Sequence, residues 1–225
     1  MTNLRFLTWN IHFKDLTHER INRIMSIIST QNPDIICLQE VPISMIDEFQ
    51  LSNYFRIGIS FQYSYNTLIL SRYPCIRYDR YPLPKTSMGR NLLLTNIILP
   101  SGKIVYVGTF HLESVFNGTD SESLKKNQLH YIKSIIPPNT ILMGDTNLVH
   151  NDLLDIEGLY DLTQHSPATY KASRLDRIIT NFPLSQSQPQ PQPQPIIELI
   201  GTSSHSDHNG VIITLNIPPH NSVSQ

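Results

Sequence analysis

Short strand-like runs far outnumber helical patterns in this chain, and that imbalance narrows the fold more than any other feature. Arg5 to Asn10 reads as a first strand. Similar runs recur at Asp34 to Leu38, Phe55 to Ile59, Thr67 to Ser71, Asn91 to Leu99, Lys103 to Phe110, Thr140 to Met143, Leu175 to Thr180, Ile196 to Ile200 and Val211 to Leu215. Only two stretches follow a helical period. Ile21, Ile24, Met25 and Ile28 fall at i, i+3, i+4 and i+7 before Pro33 stops the pattern. The stretch from Ser121 to Ile135 presents Leu124, Leu129, Ile132 and Ile136 on one side and ends at Pro137-Pro138. Ser101-Gly102 splits two apolar runs as a hairpin turn would. So many strands with two helices predict two packed sheets covered by helices.

With 225 residues, 40% of them hydrophobic, the chain can bury one substantial core, and a single domain over residues 1–218 is expected. Gln186 to Pro195 is a Gln/Pro repetition that favours polyproline II and cannot bury apolar surface. Residues 184–195 are therefore expected as a surface loop, and 219–225 as a frayed tail. No signal-like segment opens the sequence, and no uncharged apolar run nears the ~18 residues of a membrane span. A soluble intracellular monomer without a membrane partner is the expectation, and no basic cluster assigns it to nucleus or cytoplasm. Cys37 sits in an apolar run and reads as a buried thiol; neither it nor Cys75 has metal-ligand spacing.

A net charge of −1 excludes a protein that coats nucleic acid by bulk electrostatics, so any polyanion must be bound locally. Arg72, Arg77, Arg80, Lys85 and Arg90, interleaved with Tyr73, Tyr78 and Tyr81, suit a groove that tracks a nucleic-acid backbone. An edge hairpin with solvated charges fits the same residues.

Five motifs stand where apolar runs end: Thr8-Trp9-Asn10, Leu38-Gln39-Glu40, His111-Leu112-Glu113-Ser114, Gly144-Asp145-Thr146-Asn147 and Ser206-Asp207-His208. Each alone is a weak signal, and Asp145 with Asn147 also fits a simple Asx turn. Their shared setting at strand ends makes the set informative. Asp145 can accept a proton from water, and Asn147 can donate to a phosphate oxygen. Glu40 offers oxygen to a hard cation such as Mg²⁺, which takes one or two protein carboxylates. His208 and His111 can donate to a phosphoryl oxygen as charge builds up, with Asp176 as the orienting acceptor for His208 and Asn10 completing the ring.

These motifs, together with Met88-Gly89-Arg90-Asn91-Leu92-Leu93 and Leu175-Asp176-Arg177-Ile178, resemble the endonuclease/exonuclease/phosphatase superfamily over residues 4 to 216. Within it, the His-Leu-Glu-Ser and Gly-Asp-Thr-Asn-Leu strings are similar to those of the 5′-tyrosyl-DNA phosphodiesterases. The resemblance implies an α+β fold of the DNase I type, a four-layer α/β/β/α sandwich of two mixed sheets flanked by helices. It implies Mg²⁺-dependent hydrolysis, with Mn²⁺ as a substitute, of the bond between tyrosine and a DNA 5′ end that is single-stranded or frayed. Glu40 would bind the metal with Asp207 on the same side, and Asp145 would be the general base. Asn10 and Asn147 would position water and phosphate, and His111 and His208, the latter oriented by Asp176, would stabilise the transition state. Tyr65, Arg90, Asn91, Ser114 and Tyr170 would bind substrate, Arg90 facing the leaving ring through a cation–π contact.

Some positions depart from the family pattern. His12 stands where Asp is usual, Val149 replaces an Arg that contacts phosphate, and Ala168-Thr169-Tyr170 occupies the place of an apolar wall with Trp. No accessory domain is expected before the core. Another superfamily enzyme, acting at abasic sites, RNA ends or small phosphoesters, would share the metal and base, and a silent binding module would be expected to lack some of these residues.

Overall fold

The computed structural model describes residues 2–58, 64–114, 121–149, 156–182 and 195–217. The end of the strand expected at Phe55 to Ile59, nearly all of the Gln/Pro segment and the tail 219–225 lie outside them. The strands are β1 (Thr2–Asn10), β2 (Ile35–Pro42), β3 (Phe55–Ile57), β4 (Tyr65–Ser71), β5 (Cys75–Pro82), β6 (Asn91–Ile98), β7 (Ile104–His111), β8 (Thr140–Asp145), β9 (Tyr160–Asp161), β10 (Asp176–Thr180), β11 (Ile197–Ile200) and β12 (Gly210–Ile217). Helix α1 (His18–Gln31) joins β1 to β2, α2 (Ser121–Ile135) lies between β7 and β8, and a 3-10 turn spans Ile43–Glu48.

The strands form two sheets, ordered β11-β12-β1-β2-β4-β3 and β5-β6-β7-β8-β10-β9. Each is mixed. The pairs β1/β2 and β7/β8 are parallel, and the remaining pairings are antiparallel. Both parallel pairs sit at the centre of their sheet, with a helix in the connection, as a parallel crossover demands.

Period-two alternation builds three cores. Leu4, Phe6, Ile35, Cys37, Val107, Ile141, Met143, Ile178 and Ile213 point between the sheets. Leu7, Trp9, Ile36 and Leu38 point outward onto Ile21, Ile24, Met25 and Ile28 of α1. Phe110, Leu142 and Ile179 pack on Leu129 and Ile132 of α2 and on Ile136 just after it. The architecture is the four-layer α/β/β/α sandwich that the sequence implied.

α1 begins at Thr17, whose hydroxyl accepts from Arg20 N at 3.2 Å, and ends at Asn32 in the left-handed region at φ 54°. Thr17→Ala is expected to lower the free energy of unfolding by ~1 kcal/mol, read from the urea midpoint at constant m-value. α2 departs from its expected stripe. Leu124 is only half-buried, while Lys125 and Gln128 take the deeper positions. Both reach the loops at the end of the sandwich: Lys125 Nζ donates to Asn147 O at 2.7 Å, and Gln128 Oε1 accepts from Glu113 N at 3.0 Å. The Ser101-Gly102 turn forms as expected, with Gly102 at φ 77° donating to Leu99 O.

The expected basic groove is not one surface. Arg72 donates to Tyr54 and to the carbonyl of Pro33, Arg80 reaches inward to Thr67 and Asn91, and Arg90 is buried, while Arg77 pairs with Asp79 on β5. β5 is the edge strand of its sheet, so the edge-hairpin reading describes this stretch better. No helix among the described residues is long and apolar enough to cross a membrane.

Candidate active site

The inward-facing positions change from apolar to polar toward one end of the sandwich. Along β1 the series Leu4, Phe6 continues as Thr8, Asn10; along β2, Ile35, Cys37 continues as Gln39; along β7, Val105, Val107 continues as Thr109, His111; along β8, Ile141, Met143 continues as Asp145. This is the C-terminal end of both parallel pairs, where crossing connections leave a crevice. Gln39 closes the floor, donating through Nε2 to Thr8 Oγ1 and Thr109 Oγ1, both at 3.1 Å. It joins the two sheets through three fully buried polar side chains that satisfy one another.

Above this floor, Asp145 is the focus. Its Oδ2 accepts from Asn10 Nδ2 at 3.0 Å and lies 3.3 Å from His111 Nε2 and 3.9 Å from His208 Nε2. Its Oδ1 accepts from Asn147 N at 2.8 Å, so the Asx turn is present, and the second oxygen still faces the ring of donors. Burial pushes the Asp145 carboxyl up from the ordinary aspartate range; His208, Asn10 and the Asn147 N–H oppose this, and Asp176 adds to it.

The two histidines have unlike partners. His208 Nδ1 lies 2.7 Å from Asp176 Oδ2. Burial acts to lower its pKa, but the Asp176 charge and hydrogen bond, helped by Asp145 and Asp207, outweigh it and lift it to about 10. His208 is therefore an imidazolium at neutral pH. His111 is held well below the ordinary histidine range by burial, then by the charges of Arg90 and His208. The ring of Tyr170 covers His208 at 4.7 Å between centroids, and Thr169 Oγ1 accepts from Asp176 N. Ser206 pins this loop to β1, donating to Asn10 O at 2.7 Å and accepting from His208 N.

Glu40 comes to the site through a bulge. β2 gains one residue on β4 between Leu38 and Val41, and Glu40 sits at φ 61°, which turns it from the outward series of Ile36 and Leu38. Its Oε1 accepts from Asn10 Nδ2 at 3.4 Å and its Oε2 from Phe13 N at 3.1 Å. Neither donor is charged, so lone pairs remain for a cation. Asp207 is exposed nearby, 3.7 Å from His12 Nδ1, and both Asp207 and Glu40 act on the charge of Arg20. Glu40 offers carboxylate oxygen of the kind a hard divalent ion takes, and Asp207 is a second candidate on the same Arg20 side. Asp145, Asp176 and His208 also bring ligand atoms within 4.8 Å of one another. His208 Nδ1 and Asp176 Oδ2 are engaged with each other at 2.7 Å, so these three side chains form a hydrogen-bonded relay.

Three of the remaining expected residues line a cleft beside Glu40, while Ser114 is not in its lining and Tyr170 lies over His208. Tyr65, Arg90, Asn91 and His111 border it. Tyr65 stacks on Phe13 at 4.5 Å, and Arg90 lies over the Tyr65 ring at 5.7 Å, so the cation–π contact of Arg90 is with the protein's own ring. Asn91 Nδ2 donates to Gly89 O, and Ser114 Oγ donates to Met88 Sδ. Asn147 Nδ2 spends one hydrogen on Leu112 O.

Sequence reasoning passed over Gln39, Glu113, Gln128, Lys125 and Ser206. Gln39, Glu113 and Ser206 stand inside the motifs at the strand ends, and a polar residue adjoining an apolar run is the signal that marks them.

A chain whose polar strand ends converge in this way can be compared with known proteins. The family model for the endonuclease/exonuclease/phosphatase family matches residues 7–208. A Tyrosyl-DNA phosphodiesterase 2 from Xenopus tropicalis is 31% identical over 167 residues, covering 70% of this chain; the match spans only 44% of that relative's length. Two D. rerio TDP2 structures share the fold. A humanized form gives a TM-score of 0.78 at 24% identity, covering 96% of this chain and 99% of that one. A complex with a single-strand DNA product gives 0.78 at 23%, covering 96% and 100%. The motifs that end the strands fall inside the matched span, and the chain belongs to the endonuclease/exonuclease/phosphatase family.

Proposed function

We propose that this chain is a metal-dependent phosphodiesterase that hydrolyses the 5′-phosphotyrosyl bond between DNA and a linked protein or peptide, leaving a 5′-phosphate. Residues 1–218 act as one catalytic domain, and the protein works as a monomer. The observation that carries this reading is the convergence of Asn10, His111 and His208 on Asp145 Oδ2 beside Glu40.

Asp145 is the general base, and its raised affinity makes it a stronger proton acceptor than an exposed aspartate. Asn10 and Asn147 position the attacking water and the phosphate. His208, held cationic by Asp176, and His111 offer Nε2–H donors to the phosphoryl oxygens as charge develops. Glu40 and Asp207 would hold Mg²⁺ or Mn²⁺. When bound, such an ion supplies Lewis-acid polarisation of a phosphoryl oxygen. Phenolate, with a pKa of ~10, leaves readily once the phosphorus is attacked. The Tyr65, Arg90 and Asn91 side of the cleft takes the tyrosyl and 5′-terminal nucleotide, with Ser114 and Tyr170 binding from outside its lining. The relatives named Tyrosyl-DNA phosphodiesterase 2 support this substrate, and the D. rerio complex with single-strand DNA product supports a single-stranded 5′ end.

The test is cleavage of a 5′-phosphotyrosyl oligonucleotide beside an abasic duplex, with Mg²⁺, Mn²⁺ or EDTA. Metal-dependent release of tyrosine leaving a 5′-phosphate is expected. Incision of the abasic duplex alone would replace the substrate, and cleavage of neither would reject the reading.

A further inference from the structure

Arg90 ends in a place that its motif does not explain. It is 5% exposed, and its Nη1 lies 2.7 Å from His111 Nδ1, with His111 itself 4% exposed. A guanidinium has five donors, no acceptor and a charge that proteins do not remove. At that distance His111 Nδ1 must therefore supply the lone pair. A ring that accepts through Nδ1 has one proton, and it is on Nε2, the atom that faces Asp145 Oδ2 at 3.3 Å. His208 presents the same Nε2 edge from the opposite kind of partner, since a carboxylate faces its Nδ1.

The loop that carries Arg90 is fastened next to His111. Arg90 N donates to Thr86 Oγ1 at 2.8 Å, and Thr86 Oγ1 donates to Glu113 Oε2 at 2.8 Å. Ser87 gives Glu113 Oε1 two more bonds, from N at 3.2 Å and from Oγ at 2.6 Å. Glu113, 4% exposed, follows His111 closely on the chain, and its own N–H is tied to Gln128. The side chain of Arg90 thus reaches His111 from a loop anchored just beyond that histidine.

We propose that Arg90 is a positioning residue that fixes His111 with its single proton on Nε2, aimed at the reacting phosphoryl group, and that Glu113 and Thr86 hold Arg90 in register for it. The inference rests on the phosphodiesterase reading for what the Nε2–H donates to, but the proton's location can be read without substrate or metal. Without Arg90 the ring can place its proton on Nδ1 and lose its donor toward the phosphate. Removing one such donor from a preorganised site lowers kcat by ~10²-fold. A residue that only grips substrate would instead raise KM.

Long-range ¹H–¹⁵N correlation spectra of histidine-labelled protein, with His111 assigned from a His111→Gln variant, test this. At neutral pH the expected pattern for His111 is a protonated Nε2 and a bare Nδ1. Arg90→Met should move the pattern toward a mixture of tautomers and lower kcat ~10²-fold with KM changed less than about threefold. A proton on Nδ1 or on both nitrogens in the wild-type protein would overturn the proposal, and so would an unchanged pattern in Arg90→Met. If Arg90→Met does not fold, the wild-type spectrum alone decides. A wild-type protein with the Nε2 proton in place but inactive on phosphotyrosyl DNA would count against the proposed substrate and leave the positioning role standing.

Discussion

Asp145→Asn is expected to lower kcat on a 5′-phosphotyrosyl oligonucleotide by ~10³- to 10⁴-fold at saturating Mg²⁺, with a much smaller change in KM. Asp145 is almost wholly buried, at 1% exposure, and its two oxygens face Asn10, Asn147, His111 and His208. Among the described carboxylates it alone meets both histidines. An amide there cannot accept the proton that water releases as the P–O bond forms. It also replaces one acceptor with a donor amid groups that are themselves donors, so the water loses both its base and its alignment. Glu40 lies beyond Asn10 and is tied to Phe13 N, so cation binding should survive the change. Single-turnover kinetics measure the effect, and a thermal melt checks that the variant folds. A loss under about tenfold in a folded variant would remove Asp145 from the role of base and return the question to Asp176 or Glu40.

Much of this site was legible because its residues sit where an alternating apolar pattern stops. Leu4 and Phe6 lead to Asn10, and Val105 and Val107 lead to His111, by simple parity along a strand, so the sequence places these groups on the face between the sheets. The two helices were legible for the same kind of reason. What was hidden depends on backbone geometry or on distant partners. Parity alone sends Glu40 outward with Ile36 and Leu38; only the bulge and its left-handed φ bring it inward, and no residue pattern announces that bulge. Lys125 and Gln128 were not named with the apolar side of α2, yet helical spacing places them beside Leu129 and Ile132, and they are buried because the loops beyond Asp145 and His111 need donors and acceptors there. Arg90 read as part of a basic stretch and, by resemblance, as a substrate-binding residue, but not as a partner of His111. Its destination is set by a loop fastened to Glu113, a contact between residues far apart in the chain that spacing cannot reveal. β5 was missing from the strand-like runs and entered only as an edge hairpin with solvated charges, since an edge strand has no strict apolar alternation.

The largest effect on stability is expected at Gly144. It pairs with Phe110 across the parallel β7/β8 ladder, one step before His111 meets Asp145. A Cβ there would lie 2.0 Å from Phe110 O, 2.9 Å from Phe110 C and 3.1 Å from Phe110 N, all backbone atoms that no rotamer change can move. Even a short C–H···O contact needs ~3.3 Å, so the strands must part by more than an ångström at the centre of the sheet. That movement would strain Leu112 N to Asp145 O, now 2.9 Å, and draw His111 away from Asp145. Gly144→Ala is expected to cost about 3 kcal/mol or more, since overpacking against backbone adds to lost ladder hydrogen bonds. Gly102 provides the contrast: its Cβ would meet nothing within 4 Å, so alanine in that turn carries only the strain of its φ of 77°, about 1 kcal/mol. Urea unfolding of the two variants separates the effects. An unchanged midpoint for Gly144→Ala would mean that β7 and β8 yield at the rim, and the rigid spacing of His111 and Asp145 on which catalysis is argued would have to be abandoned with it.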